Sequence, residues 1–439
     1  MLGNKSINES NHLEIAGCDV VELAQTMGTA LYVYDEALLR SNMQEYEKSF
    51  RDNYPHFSLA YAGKAFLCSA LCSMMEKEGW WLDVVSGGEY YLASTANFPV
   101  ERIIFHGNNK TQEERCLVLR GGVGRWVVDN EVELNFLLEE APLYASYKVP
   151  LFFRLIPGVD PHTHQYITTG KIDSKFGFPL GEVENAILKA IQSEDLEVWG
   201  LHCHIGSQID QIEPFLKAVE VMLQFMVDFR KKHGFVFREL DLGGGLGVPY
   251  VDEEKGRFPS FASYVKAITE KVKEKCDEFS YPLPHLYIEP GRSVVNTAGS
   301  TIYRVGSVKE IPGVKKYVAV DGGMTDNPRP ILYGAKYQAQ IGNRVVGKKE
   351  KVSVVGKCCE SGDVLIEEIE LPSPYPGDIL VVEATGAYNY SMASNYNLIP
   401  RPGVVFLREG RPELVVRPES WHDLVRRDII PLENREGER

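Results

Sequence analysis

No stretch of this chain approaches the ~18 uncharged apolar residues that cross a bilayer, so no membrane partner is expected. Zinc-type cysteine pairs are missing as well. The eight cysteines stand at 18, 68, 72, 116, 203, 276, 358 and 359 without a Cys-x-x-Cys unit, which argues against a structural metal site. The opening stretch Met1–Asn11 is polar and has no apolar core, so no secretory leader is expected. The cysteines then read as reduced thiols of a cytoplasmic protein. Positive charge is in deficit: 47 Lys and Arg face 61 Asp and Glu, a net charge of −14. That argues against nucleic acid as a partner while leaving room for a local basic pocket. Internal repeats and low-complexity blocks are absent too. Residues 1–12 and the charged tail 431–439 are the segments expected to be flexible.

What is present is core. Over 439 residues the chain is 44% hydrophobic and 25% charged, enough for a large barrel and a second domain. Continuous apolar runs occur at Phe57–Tyr61, Trp80–Val85, Arg102–Phe105, Trp126–Val128, Leu151–Leu155, Val198–Ile205, Leu240–Leu242 and Leu286–Ile288. Such runs fit strands buried on both faces. Most are followed by room for a helix, as in Ile212–Lys232, where Phe215, Val219, Met222, Phe225 and Met226 recur near helical spacing. The pattern predicts an α/β fold with a (β/α)8 barrel over residues 38–293. After Val294 short alternating stretches appear (Thr301–Val308, Tyr317–Val320, Val352–Val355, Ile379–Glu383), separated by Gly and Pro turns. These predict a C-terminal antiparallel β-sandwich or barrel. Ala30–Asp35 also reads as a strand, so the second domain is expected to be discontinuous, 13–37 with 294–430.

In a (β/α)8 barrel, chemistry gathers at the C-terminal ends of the strands. Those ends carry Lys64, Asp83, His106, Asp129, Arg154, His202 with His204, Asp241 with Gly243–Gly245, and Glu289 with Arg292. Lys64 follows a buried strand among small and apolar residues. Many lysines are only surface charges, but an amine in an apolar pocket loses its proton readily and suits Schiff-base chemistry. The Gly243–Gly245 run lets backbone N–H groups approach an anion; by itself it is also what a tight turn looks like. Arg292 could contact the same phosphate. One of His202 and His204 could pack on a flat ring; as a metal pair they lack a third ligand of suitable spacing. Glu289 ends an apolar strand and needs a cation or N–H donor there, which a protonated pyridine would provide. Lysine, anion cradle, flat-ring partner and carboxylate together point to pyridoxal 5′-phosphate.

The strings YAGKAF, LDVVSGGE, FHGNNK, HCHIGSQ, DLGGGLG, EPGR, CCESGD and GAYNYSMASNYN resemble the diaminopimelate decarboxylases, from about Leu13 to Asp428. That resemblance implies a pyridoxal-phosphate (β/α)8 barrel with a β-domain. It implies that Lys64 joins the cofactor and that His204 stacks on its ring. Ser207, Gly244, Gly245, Pro290, Gly291, Arg292 and Tyr388 would bind the cofactor, mainly its phosphate, and Glu289 would face the pyridine nitrogen. Arg292, Arg329, Tyr333 and Tyr388 would bind substrate, Glu360 would read its distal amine, and Cys359 would be the proton donor. Cys359 and Glu360 would enter from a second subunit of a homodimer. Asn389 stands where many members have glycine.

The implied reaction is decarboxylation of meso-2,6-diaminopimelate to L-lysine and CO2, the last step of lysine biosynthesis. Three other readings differ in class. A related decarboxylase for ornithine-type substrates would want an acid where Arg329 stands. A regulatory binding protein would have lost Lys64, Glu289, Arg292 or Cys359. A barrel hydrolase would pair Asp241 with Glu289 and leave the lysine and the glycine loop without a role.

Overall fold

The computed structural model describes residues 1, 3–160 and 174–429; the tail expected to be flexible, 431–439, lies outside them. The chain divides into two compact units, Leu38–Asn296 and a second made of the residues before and after it. In chain order, β1 (Lys5–Ile7) pairs antiparallel with β2 (Leu13–Ile15), and β3 (Leu31–Asp35) follows. Part of the stretch 1–12, expected to be loose, is thus a paired strand.

The Leu38–Asn296 unit holds eight parallel strands: β4 (Phe57–Ala62), β5 (Trp81–Val84), β6 (Ile103–Phe105), β7 (Arg125–Val128), β8 (Val149–Ile156), β9 (Leu196–Cys203), β10 (Glu239–Asp241) and β11 (His285–Ile288). Each pairs with the next, and β11 pairs back with β4, so the sheet closes into a barrel. All eight coincide with the apolar runs. They form strands because both faces are covered: β6 and β7 are buried at every position. Helices between them start on side-chain caps. Ser86 Oγ accepts from Glu89 N–H (3.2 Å) at α1 (Gly87–Thr95), and Thr111 with Glu114 forms a reciprocal capping box at α2 (Gln112–Gly121). The helix α3 (Glu213–His233) buries Phe215, Val219, Met222 and Met226 and stops at Gly234, whose φ of +71° suits glycine.

The N-terminal end of the barrel is closed by a buried charge pair that no motif announced. Arg125, first residue of β7, donates through Nε and Nη2 to both oxygens of Glu239, first residue of β10. Its guanidinium lies 4.4 Å from the Trp199 ring centroid and 5.5 Å from that of Trp81, and Tyr287 Oη donates to Glu239 (3.3 Å).

The second unit contains a mixed sheet. Its strands are β3, β12 (Gly299–Ile311), β13 (Lys315–Val320), β14 (Ala339–Ile341), β15 (Lys349–Val355), β16 (Val364–Pro372), β17 (Ile379–Glu383), β18 (Gly403–Arg408) and β19 (Arg411–Val416). The expected antiparallel domain needs correction, because β13 runs parallel to β15 and β3 runs parallel to β18. Alternation along one strand records which face is buried, and carries nothing about the direction of the neighbour. As expected, the early strand β3 joins this sheet, wedged between β12 and β18. Leu31 and Val33 there pack with Leu13, Ile302, Val381 and Val405 in one core.

Candidate active site

At the C-terminal end of the barrel, acids and imidazoles from five strands converge. Glu289 follows β11 and is buried. Its Oε1 lies 2.6 Å from His106 Nε2, just past β6, and its Oε2 lies 3.2 Å from His202 Nε2, on β9. Burial alone would push this carboxyl up; the two facing imidazoles outweigh it and hold Glu289 well below the usual carboxylate range. Burial drives His202 the other way, down to about 3, so its ring is neutral. Asp241 at the end of β10 is pushed well above the usual range, first by burial and then by the charge of Glu289. Asp83 at the end of β5 is raised by burial and partly relieved by His106 and Lys64. Of the three acids, Glu289 is the one whose surroundings favour the charged form.

The strand ends pointed to these positions, but not to the partner of His202. Counting along the strand couples His202 to His204 and offers no third ligand. The fold instead sets His202 against His106, rings 4.8 Å apart and edge-on, with Glu289 between them. The ligand atoms of His106, His202 and Glu289 lie within 4.8 Å of one another, a spacing that the hydrogen bonds to Glu289 account for.

Lys64 sits in the turn Gly63–Ala65 directly after β4, with its Nζ 3.6 Å from Asp83 Oδ2 and its side chain 42% exposed. The amine therefore lies against a buried carboxylate rather than in a wholly apolar pocket. His204 lies just beyond β9. Burial, then the nearby charges of Lys64 and Arg154, hold its ring well below its ordinary pKa, leaving a neutral flat face. Its Nδ1 accepts from Gly244 N–H (3.3 Å).

The loop after β10 is built for close approach. Gly243 and Gly245 have φ of +65° and +126°, and a Cβ at Gly244 would lie 2.3 Å from the Glu289 carbonyl oxygen. Beside the loop, Arg292 Nη2 donates to Ser207 Oγ (3.1 Å), and Nη1 donates to Tyr250 Oη. Pro290 and Gly291 run against the first strand, where the Pro290 carbonyl accepts from Ala62 N–H (3.3 Å). Tyr250 was missed in the sequence; it belongs to no motif and lies well past its strand.

The other residues singled out in the sequence belong to the second unit. Arg329 opens the short helix α4 (Arg329–Tyr333) and is 8% exposed. Its guanidinium lies 5.1 Å from the Tyr333 ring centroid and 5.4 Å from that of Tyr388. Tyr388 has a left-handed φ of +62°, and buried Asn389 after it accepts from Tyr337 Oη (3.3 Å). Cys359 and Glu360 are exposed on the loop between β15 and β16. Asp363 fastens that loop, accepting from Met324 N–H (2.7 Å) and Cys358 N–H (2.9 Å). Cys359 N–H donates to Asn397 Oδ1 (2.8 Å).

Residues 39–296, nearly the whole barrel unit, match the family described as pyridoxal-dependent decarboxylase, pyridoxal binding domain. A diaminopimelate decarboxylase of Bacillus subtilis is 48% identical over 97% of both chains, and one of Halalkalibacterium halodurans is 46% identical over the same shares. The chain belongs to the diaminopimelate decarboxylase family. Among solved structures, the diaminopimelate decarboxylase of M. jannaschii in complex with L-lysine superposes with a TM-score of 0.92 at 36% identity, covering 99% of this chain and 100% of that one. Membership in the diaminopimelate decarboxylases places the lysine, the glycine loop and the buried acid in a pyridoxal-dependent enzyme. No helix among the described residues is long and apolar enough to cross a membrane.

Proposed function

We propose that this chain decarboxylates meso-2,6-diaminopimelate to L-lysine and CO2 with pyridoxal 5′-phosphate, and that the strand-end cluster of the barrel holds the cofactor. The observation that carries this reading is Glu289, a buried carboxylate held by two imidazoles at the barrel end that also carries Lys64 and the glycine loop. The residues suit the group chemically. A side chain at Gly244 would collide with the Glu289 backbone, so the loop keeps its bare backbone there, and a hydroxyl and a guanidinium lie beside it.

When bound, pyridoxal 5′-phosphate supplies an electron sink for the pair left by the departing carboxylate. Lys64 anchors it through Nζ. Ser207, Gly244, Gly245, Gly291 and Arg292 would hold its phosphate, with Pro290 in the adjoining turn, and Tyr388 would add its hydroxyl. His204 offers its neutral ring face. Glu289 holds a proton on the ring nitrogen. Arg292, Arg329 and Tyr333 grip a substrate carboxylate, and Tyr388 borders the same group. Glu360 reads the distal amine, and Cys359 delivers a proton to the substrate α-carbon.

The working unit in this reading is a cytoplasmic homodimer in which Cys359 and Glu360 serve the partner's site. Exposure of both side chains, and of Ile331, Leu332 and Tyr333 on α4, supports a covered face there. All eight cysteines being free thiols supports a reducing compartment.

The test is CO2 release from meso-2,6-diaminopimelate, ornithine, arginine and lysine by the purified protein with added cofactor. Strong preference for diaminopimelate is expected; preference for ornithine would overturn the substrate assignment. Sedimentation at assay concentration checks the dimer.

A further inference from the structure

Among the charged groups at the end of the barrel, Asp241 and Glu289 stand on adjacent strands, and both are buried. Two unpaired carboxylates in such a place do not both stay charged, because each raises the cost of ionising the other. What separates them is the donors each receives. Asp241 takes one backbone N–H, from Gly243 at 2.8 Å. Glu289 takes one imidazole on each oxygen, from strands reached in opposite directions around the ring.

We infer that His106 and His202 are positioning residues, which localise the cluster's charge on Glu289 and fix the aim of that carboxylate at the cofactor's ring nitrogen. The inference rests on the proposed function and deepens it. An N–H dipole steadies an anion without cancelling it, so Glu289 keeps its full attraction for a protonated pyridine. A lysine or arginine in either place would neutralise that attraction. His202 fits the dipole role closely. Its Nδ1 has no hydrogen-bond partner among the described residues, so Nε2 carries its ring proton, and that proton goes to Glu289. His106 makes the shorter contact and also stands 3.7 Å from Asp83, the acid beside Lys64. With an imidazole on each oxygen, and the Asp241 side chain also hydrogen-bonded to it, the carboxylate cannot rotate without breaking a bond. Arg154, also close by, raises the cost of charging His202.

The test separates this role from a merely structural one by using two ligands. The full-length protein, stripped of cofactor, is titrated with pyridoxal 5′-phosphate and with its 1-deaza analogue, in which C–H replaces the ring nitrogen. Dissociation constants are measured for the wild type, His106→Leu, His202→Leu, His106→Gln and His202→Gln. Glutamine places an amide N–H near the position of Nε2. Each leucine variant should bind pyridoxal 5′-phosphate about tenfold or more weakly and bind the deaza analogue within about twofold of the wild type, while each glutamine variant recovers most of the loss. Equal weakening of both ligands in the leucine variants, or glutamine variants as weak as leucine ones, would overturn the inference. A wild type that binds neither ligand would overturn the proposed function as well, so the two failures are distinct.

Discussion

Arg125 and Glu239 form a two-pronged pair, Nε to Oε2 and Nη2 to Oε1, each 2.5 Å, across the N-terminal end of the barrel. Removing one member leaves a buried charge without its partner, the costly half of such an arrangement. Arg125→Met should lower unfolding free energy by about 3–5 kcal/mol. The double change Arg125→Met with Glu239→Leu should recover part of that. Urea unfolding with the cofactor at fixed concentration checks it. Activity per folded molecule should hardly change, since the chemistry sits at the other end.

Lys64→Ala should reduce turnover to background and abolish the mass increment of the cofactor after borohydride reduction. Intact mass spectrometry reads the second outcome. An increment retained on another lysine would refute the anchoring role.

Asp326 gives a pH signature. Burial raises its carboxyl to about 7, although Tyr303 Oη and Gly323 N–H donate to it. The native state therefore holds a proton that the unfolded chain releases near pH 3.8. Between about pH 4 and 7 the folded protein binds more protons, so this residue's contribution falls as pH rises. Asp326→Asn should flatten the loss of stability across that window by roughly 3–4 kcal/mol. Denaturant midpoints at pH 5 and pH 7.5 measure it, and an unchanged slope would count against a raised Asp326.

Asp363 ties the turn holding Met324 to the loop bearing Cys359. Asp363→Ala frees two half-buried backbone N–H groups and should cost about 1 kcal/mol each. It should also lower kcat more than it changes cofactor affinity, because the loop that carries Cys359, the proposed proton donor, loosens. Comparison with Cys359→Ser in the same assay shows whether the two changes act on one step.

The eight barrel strands were legible because each is a mostly apolar run, and the candidate site residues because polar groups recur where those runs end. The need of Glu289 for a donor was legible too, from the cost of burying a charge. The donors themselves were not. His106 and His202 lie 183 and 87 positions from Glu289, and only barrel closure brings them together. Arg125 and Glu239, 114 positions apart, were hidden for the same reason. In the second unit, the parallel pairings escaped notice because side-chain alternation looks the same whichever way a neighbour runs. Tyr250 gave no signal, being one aromatic in a loop whose bond to Arg292 exists only in three dimensions.

Strand β11 is the last of the eight to leave the ribosome, and it brings Glu289 with it. A chain halted near residue 280 already owns both imidazoles but nothing for them to hold. The meeting of that carboxylate with the two histidines thus exists only once the circle shuts, so it is a product of the completed barrel and of no smaller piece of the chain.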